Sequence, residues 1–303
     1  MEPIFKGIIP PVVTPLRSNN ELDEEGLERL IEHLIAGGVH GLFMLGTTGE
    51  APSLTYTLRK KLLKKTAEIV RNRVPVVAGI TDTCLENSLE MAACAADNGL
   101  DAVVVAPPYY MPISQEEMVA FLEKLTPGLP LPFLMYDMPG CTKLHMTIDT
   151  VKRARDLGAI GVKDSSGDLS YLYALIRAFS DQSEFCIIAG TELYLPETIL
   201  QGGHGAVAGG ANLFPKLFVD LYRASAHRNL ERIAVLRDLV MQLNNTVYQV
   251  GNSYSRIVRG IKCGLSLMHI CSEEMALPLF SFSREERAVI EEHIQELSQR
   301  ITS

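Results

Sequence analysis

The chain has 303 residues and a mass of 33.4 kDa, with 47% hydrophobic and 21% charged residues. This composition excludes a disordered or fibrous protein, and the length suits one large domain with an appendage or two domains. The net charge of −8 argues against binding to nucleic acid. No apolar run approaches the roughly 20 residues of a membrane span, and residues 1–6 lack the pattern of a secretory signal.

Short apolar runs bounded by glycine or proline recur along the chain and alternate with segments of helical spacing. Most runs are apolar on both faces, as at Ala102–Val105, which favours strands of a parallel sheet covered on both sides. The predicted strands are Gly7–Thr14, Gly38–Gly46, Val74–Ile80, Ala102–Pro107, Pro132–Met138, Ala159–Asp164, Phe185–Gly190 and Gly205–Gly209.

The intervening segments carry apolar stripes that predict helices packed on the sheet. In the first of them the stripe consists of Leu27, Leu30, Ile31 and Leu34. Ser53 and Asp168 are predicted N-caps, because a short side-chain oxygen can accept from the free N–H groups of a first helical turn.

The strand-then-helix rhythm predicts an α/β fold. Eight such units are complete by residue 226, so we expect a (β/α)8 TIM barrel over residues 1–226. A doubly wound open sheet is the alternative, although it usually has fewer strands and a glycine-rich first turn.

The pattern changes after Asn229, where apolar strands no longer occur. Three helices are predicted there, at Glu231–Val250, Tyr254–Met268 and Ser283–Ile301, and Ser283 with Glu286 has the spacing of a capping box. We therefore expect residues 227–303 to form a C-terminal helical appendage.

Signals for metals and organic cofactors are absent from the sequence. The six cysteines are scattered without a Cys-x-x-Cys pair, which predicts free thiols and a cytoplasmic location. The seven histidines form no paired motif, so no metal site is expected. No Gly-x-Gly-x-x-Gly or phosphate-binding loop occurs, so no nucleotide cofactor is expected.

Lys163 is unusual because it lies in an otherwise apolar predicted strand. In a TIM barrel the active site lies at the carboxyl ends of the strands, and lysine is rarely buried unless it is paired or functional. A hydrophobic pocket favours the neutral, nucleophilic amine. The alternative is a structural ion pair with Asp164 or Asp168.

Other polar side chains also follow predicted strands. Tyr136 ends the strand before that of Lys163, so its phenol is a candidate proton relay, or simply a core tyrosine. Thr47 and Thr48 lie in a glycine-bounded turn that can hold a carboxylate, although both residue types are ordinary in turns. Tyr110 follows a proline pair and suits either the site or an oligomer contact.

Taken together, these motifs resemble the dihydrodipicolinate synthase/N-acetylneuraminate lyase family over nearly the whole chain. The matching segments are Gly7–Pro15, Gly46–Glu50, Pro108–Tyr110, Tyr136–Gly140, Gly161–Asp164 and Gly202–Gly205. The resemblance implies a (β/α)8 barrel with C-terminal helices, usually a homotetramer of tight dimers, without metal or organic cofactor. It also implies that a lysine condenses with the keto group of pyruvate or another 2-oxo acid.

The resemblance assigns a role to individual positions of this chain. Lys163 matches the lysine that forms the Schiff base, Tyr136 the tyrosine that relays protons, and Thr47 the hydroxyl in that relay. Thr48 matches the neighbour of the substrate carboxylate, and Tyr110 the tyrosine that crosses the tight-dimer interface into the partner's site.

Val207 matches an apolar residue beside the bound keto acid, although its position alone favours plain barrel core. The segment from Gly190 to Glu192 resembles a sugar-contacting segment of the sialate lyase branch, but it retains only the glutamate of that segment. The alternative interpretation of Glu192 is a negative charge at a helix start, which the helix dipole favours.

Substrate choice depends on a residue that differs from the synthase branch. That branch has an arginine for the carboxylate of the aldehyde partner where this chain has Cys141, which cannot replace a guanidinium. Lys143 is a possible substitute only as a point charge, and Asp137 replaces the commoner asparagine.

The sequence therefore predicts a Schiff-base lyase or aldolase that acts on a 2-oxo acid and an aldehyde, with a 2-keto-3-deoxy sugar acid or a sialate-like compound as candidate substrates. The alternatives are 4-hydroxy-tetrahydrodipicolinate synthesis or dehydration of a deoxy-keto acid. A non-catalytic 2-oxo-acid-binding protein is the alternative of another class.

Overall fold

The structure is a computed structural model that describes residues 5–302. The first residues of the predicted unit 1–226 and the last residue of the predicted unit 227–303 lie outside this range. Most of residues 1–6, for which no secretory signal was predicted, also lies outside it. Within 5–302, no helix is both long enough and apolar enough to cross a membrane. The same range contains no group of three or more His, Cys, Asp or Glu side chains placed to hold a metal ion.

A parallel sheet of eight strands forms the centre of the fold, and a separate antiparallel ribbon is formed by the two short strands Leu16–Ser18 and Glu21–Leu22. In chain order the strands are β1 (Gly7–Ile8), β2 (Leu16–Ser18), β3 (Glu21–Leu22), β4 (Leu42–Met44), β5 (Val76–Gly79), β6 (Ala102–Val105), β7 (Phe133–Asp137), β8 (Ala159–Asp164), β9 (Cys186–Ala189) and β10 (Gly205–Ala206). The sheet order is β1-β10-β9-β8-β7-β6-β5-β4.

The two outer strands of this sheet meet each other. Pro11 and Phe43 form a parallel bridge, and the Val12 N–H donates to the Phe43 carbonyl at 2.9 Å. The result is a TIM-barrel-like α/β fold, as predicted, rather than an open sheet.

All eight predicted strands contain an observed strand, but most are shorter than predicted. Ala159–Asp164 has the predicted bounds. The first prediction, Gly7–Thr14, shrinks to Gly7–Ile8, because Pro10 and Pro11 have no N–H with which to continue a ladder.

Helices follow the strands and continue after the last one. They are α1 (Glu24–Ala36), α2 (Tyr56–Val70), α3 (Leu85–Asp97), α4 (Gln115–Leu125), α5 (Pro139–Thr142), α6 (Ile148–Asp156), α7 (Leu169–Ala178), α8 (Leu195–Leu200), α9 (Pro215–Ala226), α10 (Leu230–Asn245), α11 (Arg256–Leu267) and α12 (Arg284–Thr302). Short 3₁₀ turns occur at Ala51–Ser53, Thr126–Gly128, Glu192–Tyr194, Gly209–Asn212 and Val247–Gln249. The three helices α10–α12 correspond to those predicted after residue 229.

The helix starts show which capping predictions hold. Asp168 accepts from the N–H groups of Ser170 and Tyr171 and caps α7, as predicted. Ser283 and Glu286 exchange the two hydrogen bonds of a capping box. The prediction for Ser53 is wrong, because a 3₁₀ turn ends there.

Thr55 caps α2 instead, by accepting from the Leu58 N–H. The Leu27 stripe of α1 is confirmed, since its members are fully buried against the barrel.

The apolar core has two layers because side chains alternate across each strand. One layer lies between the sheet and the helices and includes Phe133 and Met135. The other fills the inside of the barrel and includes Phe43, Leu134 and Tyr136.

A buried ion pair connects the turn after β4 to the C-terminal helices. The Lys262 amine on α11 lies 2.5 Å from a Glu50 carboxylate oxygen, and both side chains are fully buried. Lys262 also donates to the Glu274 carbonyl at 2.6 Å, and the other Glu50 oxygen accepts from the Ala276 N–H at 2.8 Å. The pair therefore fixes the Gly46–Glu50 turn against α11 and the segment after it.

Replacement of Lys262 tests this connection. Lys262→Met leaves the Glu50 charge buried without its partner, and we expect a loss of about 3–5 kcal/mol in the free energy of unfolding. Adding Glu50→Gln should recover part of the loss, because the unpaired charge is then gone.

Urea denaturation gives the measurement, and Lys216→Met is the matched control, since Lys216 pairs with Asp220 on an exposed helical surface. The control should change stability by less than about 0.5 kcal/mol. Equal effects of the two lysine substitutions would contradict the assigned role of the buried pair.

Candidate active site

Lys163 and Tyr136 face each other inside the barrel. They occupy paired positions on β8 and β7, and each is 7% exposed. The Lys163 Nζ lies 3.9 Å from the centre of the Tyr136 ring and 5.1 Å from the centre of the Phe43 ring. The amine thus lies against two aromatic faces near the carboxyl ends of the strands.

The predicted alternative, an ion pair of Lys163 with a neighbouring aspartate, is not present. Asp164 accepts from the Ser166 N–H at 2.9 Å on the outer side of β8, and Asp168 caps α7. Among the described residues, no carboxylate lies within ion-pair distance of Lys163.

Apolar side chains surround the amine. Lys163 lines a narrow cavity together with Phe5, Ile9, Phe43, Val77, Val104, Leu134, Ile188 and Val207. Val207 therefore lines the same cavity as Lys163.

The turn after β4 brings one predicted hydroxyl to the phenol. Thr47 Oγ1 lies 3.3 Å from the Tyr136 hydroxyl, so a chain of side chains runs from Thr47 through Tyr136 to Lys163. Thr48 follows in the same turn and is half-buried. The local fold depends on two left-handed residues, Leu45 and Glu50, which tighten the turn at each end.

Tyr110 lies apart from this group. Tyr110 is 75% exposed, and the Lys143 amine donates to its backbone carbonyl at 3.1 Å. The described chain therefore does not bring Tyr110 to its own Lys163.

The segment after β9 is packed more tightly than the sequence suggested. The Gly190 N–H donates to the Asp164 carbonyl at 2.6 Å, and a methyl group there would lie 1.8 Å from Ser165 Oγ, so only glycine fits. Glu192 is buried and accepts from the Gly210 N–H at 2.8 Å.

Burial raises the pKa of Glu192 to about 7, with Gly210 and the Tyr248 hydroxyl opposing the shift. Its Oε1 has no hydrogen-bond partner among residues 5–302.

A second polar cluster lies on the outer face of the same two strands. Asp137 is fully buried, and its carboxylate contacts His145 Nδ1 at 2.6 Å and accepts from the Met146 N–H at 3.2 Å. Burial raises the pKa of Asp137 to about 6, against the opposing effects of these two contacts. Burial also raises the pKa of Asp164, its neighbour on β8.

Sequence reasoning missed several residues of this region. Phe43 lies in a run of three apolar residues, and strand alternation relative to Leu42 and Met44 would have placed it inside the barrel. His145 carried no signal, because its partner Asp137 is reached only through the loop after α5.

Comparison with known proteins gives consistent matches along the chain. The model of the dihydrodipicolinate synthetase family matches residues 4–297. The 4-hydroxy-tetrahydrodipicolinate synthase of Methanocaldococcus jannaschii is 32% identical, over 97% of this chain and 99% of that protein. The solved structure of dihydrodipicolinate synthase from Bacteroides thetaiotaomicron has a TM-score of 0.94 and 46% identity, over 98% of this chain and 100% of that one. The prophage protein YagE from E. coli K12, solved in complex with pyruvate, has a TM-score of 0.91 and 29% identity, over 97% and 99% of the two chains.

Asp137 should make stability depend on pH in a defined direction. Its pKa is about 6 in the folded chain and about 3.9 in the unfolded chain, so the unfolded form loses its proton first as pH rises. The contribution of Asp137 to stability is therefore present below about pH 4 and is lost towards pH 6. We expect Asp137→Asn to gain on the order of 2 kcal/mol relative to the native chain between pH 4 and pH 7.

Urea unfolding at a series of pH values measures this difference, with Asp168→Asn as a control that retains a capping oxygen. A difference that shrinks as pH rises would have the wrong sign and would refute the assignment.

Proposed function

The chain belongs to the dihydrodipicolinate synthetase family, and we propose that it is a class I lyase or aldolase in which Lys163 forms a Schiff base with pyruvate or another 2-oxo acid. The observation that carries this proposal is the Lys163 amine, buried without an ion-pair partner among the described residues and stacked 3.9 Å above the Tyr136 ring. An amine in such surroundings is suited to attack a ketone.

The chemistry follows from electron withdrawal by the imine. The Lys163 amine adds to the keto carbon, and the carbinolamine loses its hydroxyl as water to give a protonated imine. Cleavage of the bond between C3 and C4 leaves its electron pair on C3 as an enamine and releases the C4 side as an aldehyde, whose hydroxyl proton passes to the enzyme. Protonation of the enamine and addition of water then return the 2-oxo acid and the free amine.

Tyr136 and Thr47 supply the proton transfers in this proposal. The Tyr136 ring centre lies 3.9 Å from the Lys163 amine, and the Tyr136 hydroxyl lies 3.3 Å from Thr47 Oγ1, so a proton can move between the carbinolamine hydroxyl and the turn. We assign the Thr48 hydroxyl and the N–H groups of that turn to the carboxylate of the 2-oxo acid. The covalent imine through Lys163 serves where other enzymes use a cofactor.

On the aldehyde side, we propose cleavage of a 2-keto-3-deoxy sugar acid or a sialate-like compound. Cys141 stands where the synthase branch has its arginine, and Gly190 and Glu192 lie after β9 as candidate contacts for hydroxyl groups. A panel of sugar acids, assayed for pyruvate release, tests this preference.

The names of the relatives favour a second candidate, 4-hydroxy-tetrahydrodipicolinate synthesis. Growth of a diaminopimelate-requiring strain carrying this gene would support that candidate over aldol cleavage. Release of water without pyruvate from a deoxy-keto acid would support dehydration. Pyruvate binding without turnover of any aldehyde would favour a non-catalytic 2-oxo-acid-binding protein.

The proposal extends to architecture and assembly. The bridge between Pro11 and Phe43 supports a closed (β/α)8 barrel over residues 1–226, with 227–303 as a helical appendage. The exposed Tyr110 supports a tight dimer, two of which would form the expected homotetramer. The six cysteines form no disulfide among the described residues, which suits a reducing cytoplasm.

Borohydride reduction tests the imine directly. Incubation with pyruvate and borohydride should add one reduced pyruvyl group to the chain at Lys163, as measured by intact mass and peptide mapping. Lys163→Ala should give no adduct, and Tyr136→Phe should lower kcat by about 10²–10⁴-fold because a proton-transfer group is lost. An adduct that persists in Lys163→Ala would overturn the proposal.

A mixing experiment tests whether Tyr110 acts in the partner's site. Lys163→Ala and Tyr110→Phe should each have low activity, because each lacks one group of the same site. Subunit exchange between them should restore activity, since one mixed site combines an intact Lys163 with an intact Tyr110. Restoration should require exchange, so a chemically cross-linked sample of each variant is the control. Unchanged activity of Tyr110→Phe alone would exclude the role.

A further inference from the structure

A tyrosine from the C-terminal part of the chain reaches the loop that follows Tyr136. Tyr254 lies between the 3₁₀ turn at Val247–Gln249 and α11, and its side chain is 76% exposed. Its hydroxyl nevertheless contacts α5, because a methyl group on Gly140 would lie 2.9 Å from Tyr254 Oη. The phenol also hydrogen-bonds to the Cys141 thiol. Neither contact is required to complete the barrel.

This contact lies at the carboxyl end of β7, the end of the barrel at which sites of this fold open. Only Met138 and the start of α5 separate Gly140 and Cys141 from the end of β7, which carries Tyr136. Burial raises the pKa of the Cys141 thiol, and the Lys163 amine is close enough to oppose that shift. Burial likewise raises the pKa of Tyr254, with Cys141 and Tyr136 adding to it. The two phenols therefore border one entrance.

The segment that carries Tyr254 is held by hydrogen bonds to the C-terminal helices. The hydroxyls of Ser253 and Ser255 lie 2.9 Å apart, and Arg259 donates to Ser253 Oγ at 3.2 Å. Arg259 is itself buried and pairs with Glu286 on α12 at 3.2 Å. The Tyr254 backbone is thus held by the C-terminal helices while its ring extends over the entrance.

The two side chains that meet here, Cys141 and Tyr254, are uncharged at neutral pH. Cys141 and Tyr254 offer a thiol and a phenol, and the nearby Lys143 amine is directed to the Tyr110 carbonyl. A phenol can donate a hydrogen bond to a substrate hydroxyl and accept one from it. To a carboxylate it can donate only one neutral hydrogen bond, whereas a guanidinium donates two that are charge-assisted.

We propose that Tyr254 is a specificity-determining residue that hydrogen-bonds to a hydroxyl on the aldehyde half of the substrate. The substrate class is then a 2-oxo acid whose aldehyde half is a neutral hydroxyaldehyde, without a carboxylate. This inference rests on the proposed Schiff-base function and names the substrate class for that same site.

Competition between aldehydes in the condensation with pyruvate tests the inference. Glyceraldehyde and propanal have the same carbon chain with and without hydroxyls, and glyoxylate carries a carboxylate. The native enzyme should prefer glyceraldehyde to both. Tyr254→Phe should lower the ratio of kcat/KM for glyceraldehyde over propanal by about three- to tenfold, the worth of one neutral hydrogen bond.

Gly140→Ala provides a second variant, because its new methyl group displaces the Tyr254 hydroxyl while the phenol remains. It should reproduce the change in ratio, and the double variant should add little to either. Tyr222→Phe is the matched control, since Tyr222 lies on α9 and its ring packs on His40, away from the entrance.

The outcomes separate this inference from the proposed function. Absence of a borohydride-trapped pyruvyl adduct in the native chain would refute the Schiff base itself. A normal adduct with equal losses for glyceraldehyde and propanal would make Tyr254 merely structural. A preference of the native enzyme for glyoxylate would refute the neutral substrate class.

Discussion

The pairing register of β7 and β8 is the constraint on which the site depends. Tyr136 is opposite Lys163, and Asp137 is opposite Asp164, so alternate side chains point to opposite faces of the sheet. The amine and phenol consequently lie inside the barrel, while both carboxylates lie outside it. A slip of one residue in either strand would bring an aspartate to the amine and create the ion pair that the site must avoid.

Three buried carboxylates near the site bind partners other than Lys163. Asp137 is held by His145 and the Met146 N–H, and Asp164 accepts from the Ser166 N–H. The carboxylate of Glu50 is neutralised by Lys262 behind the β4 turn. Because unpaired buried charges cost several kcal/mol, this separation is required for Lys163 to face only aromatic and aliphatic surfaces.

The imine half of the site was accessible from the sequence because it depends on local pattern. A lysine in an apolar strand, a tyrosine at the end of the preceding strand and the rule that barrel sites lie at strand ends were sufficient to bring Lys163 and Tyr136 together. The pairing of Thr47 with Tyr136 was expected only from the family resemblance. Strand lengths were less accessible, because prolines and tight turns shorten the ladders without changing the apolar pattern. Ser53 failed as a cap because a short 3₁₀ turn shifts the start of α2 to Thr55.

The other side of the site depends on contacts that no spacing rule predicts. Cys141 comes from the loop after β7, Glu192 from the segment after β9, and Tyr254 from the chain before α11. Only the folded barrel brings the segments of Cys141 and Tyr254 together. Loop residues of this kind can change without disturbing the β7–β8 register, so the barrel interior fixes the formation of the imine while the surrounding segments set which aldehyde half is accepted.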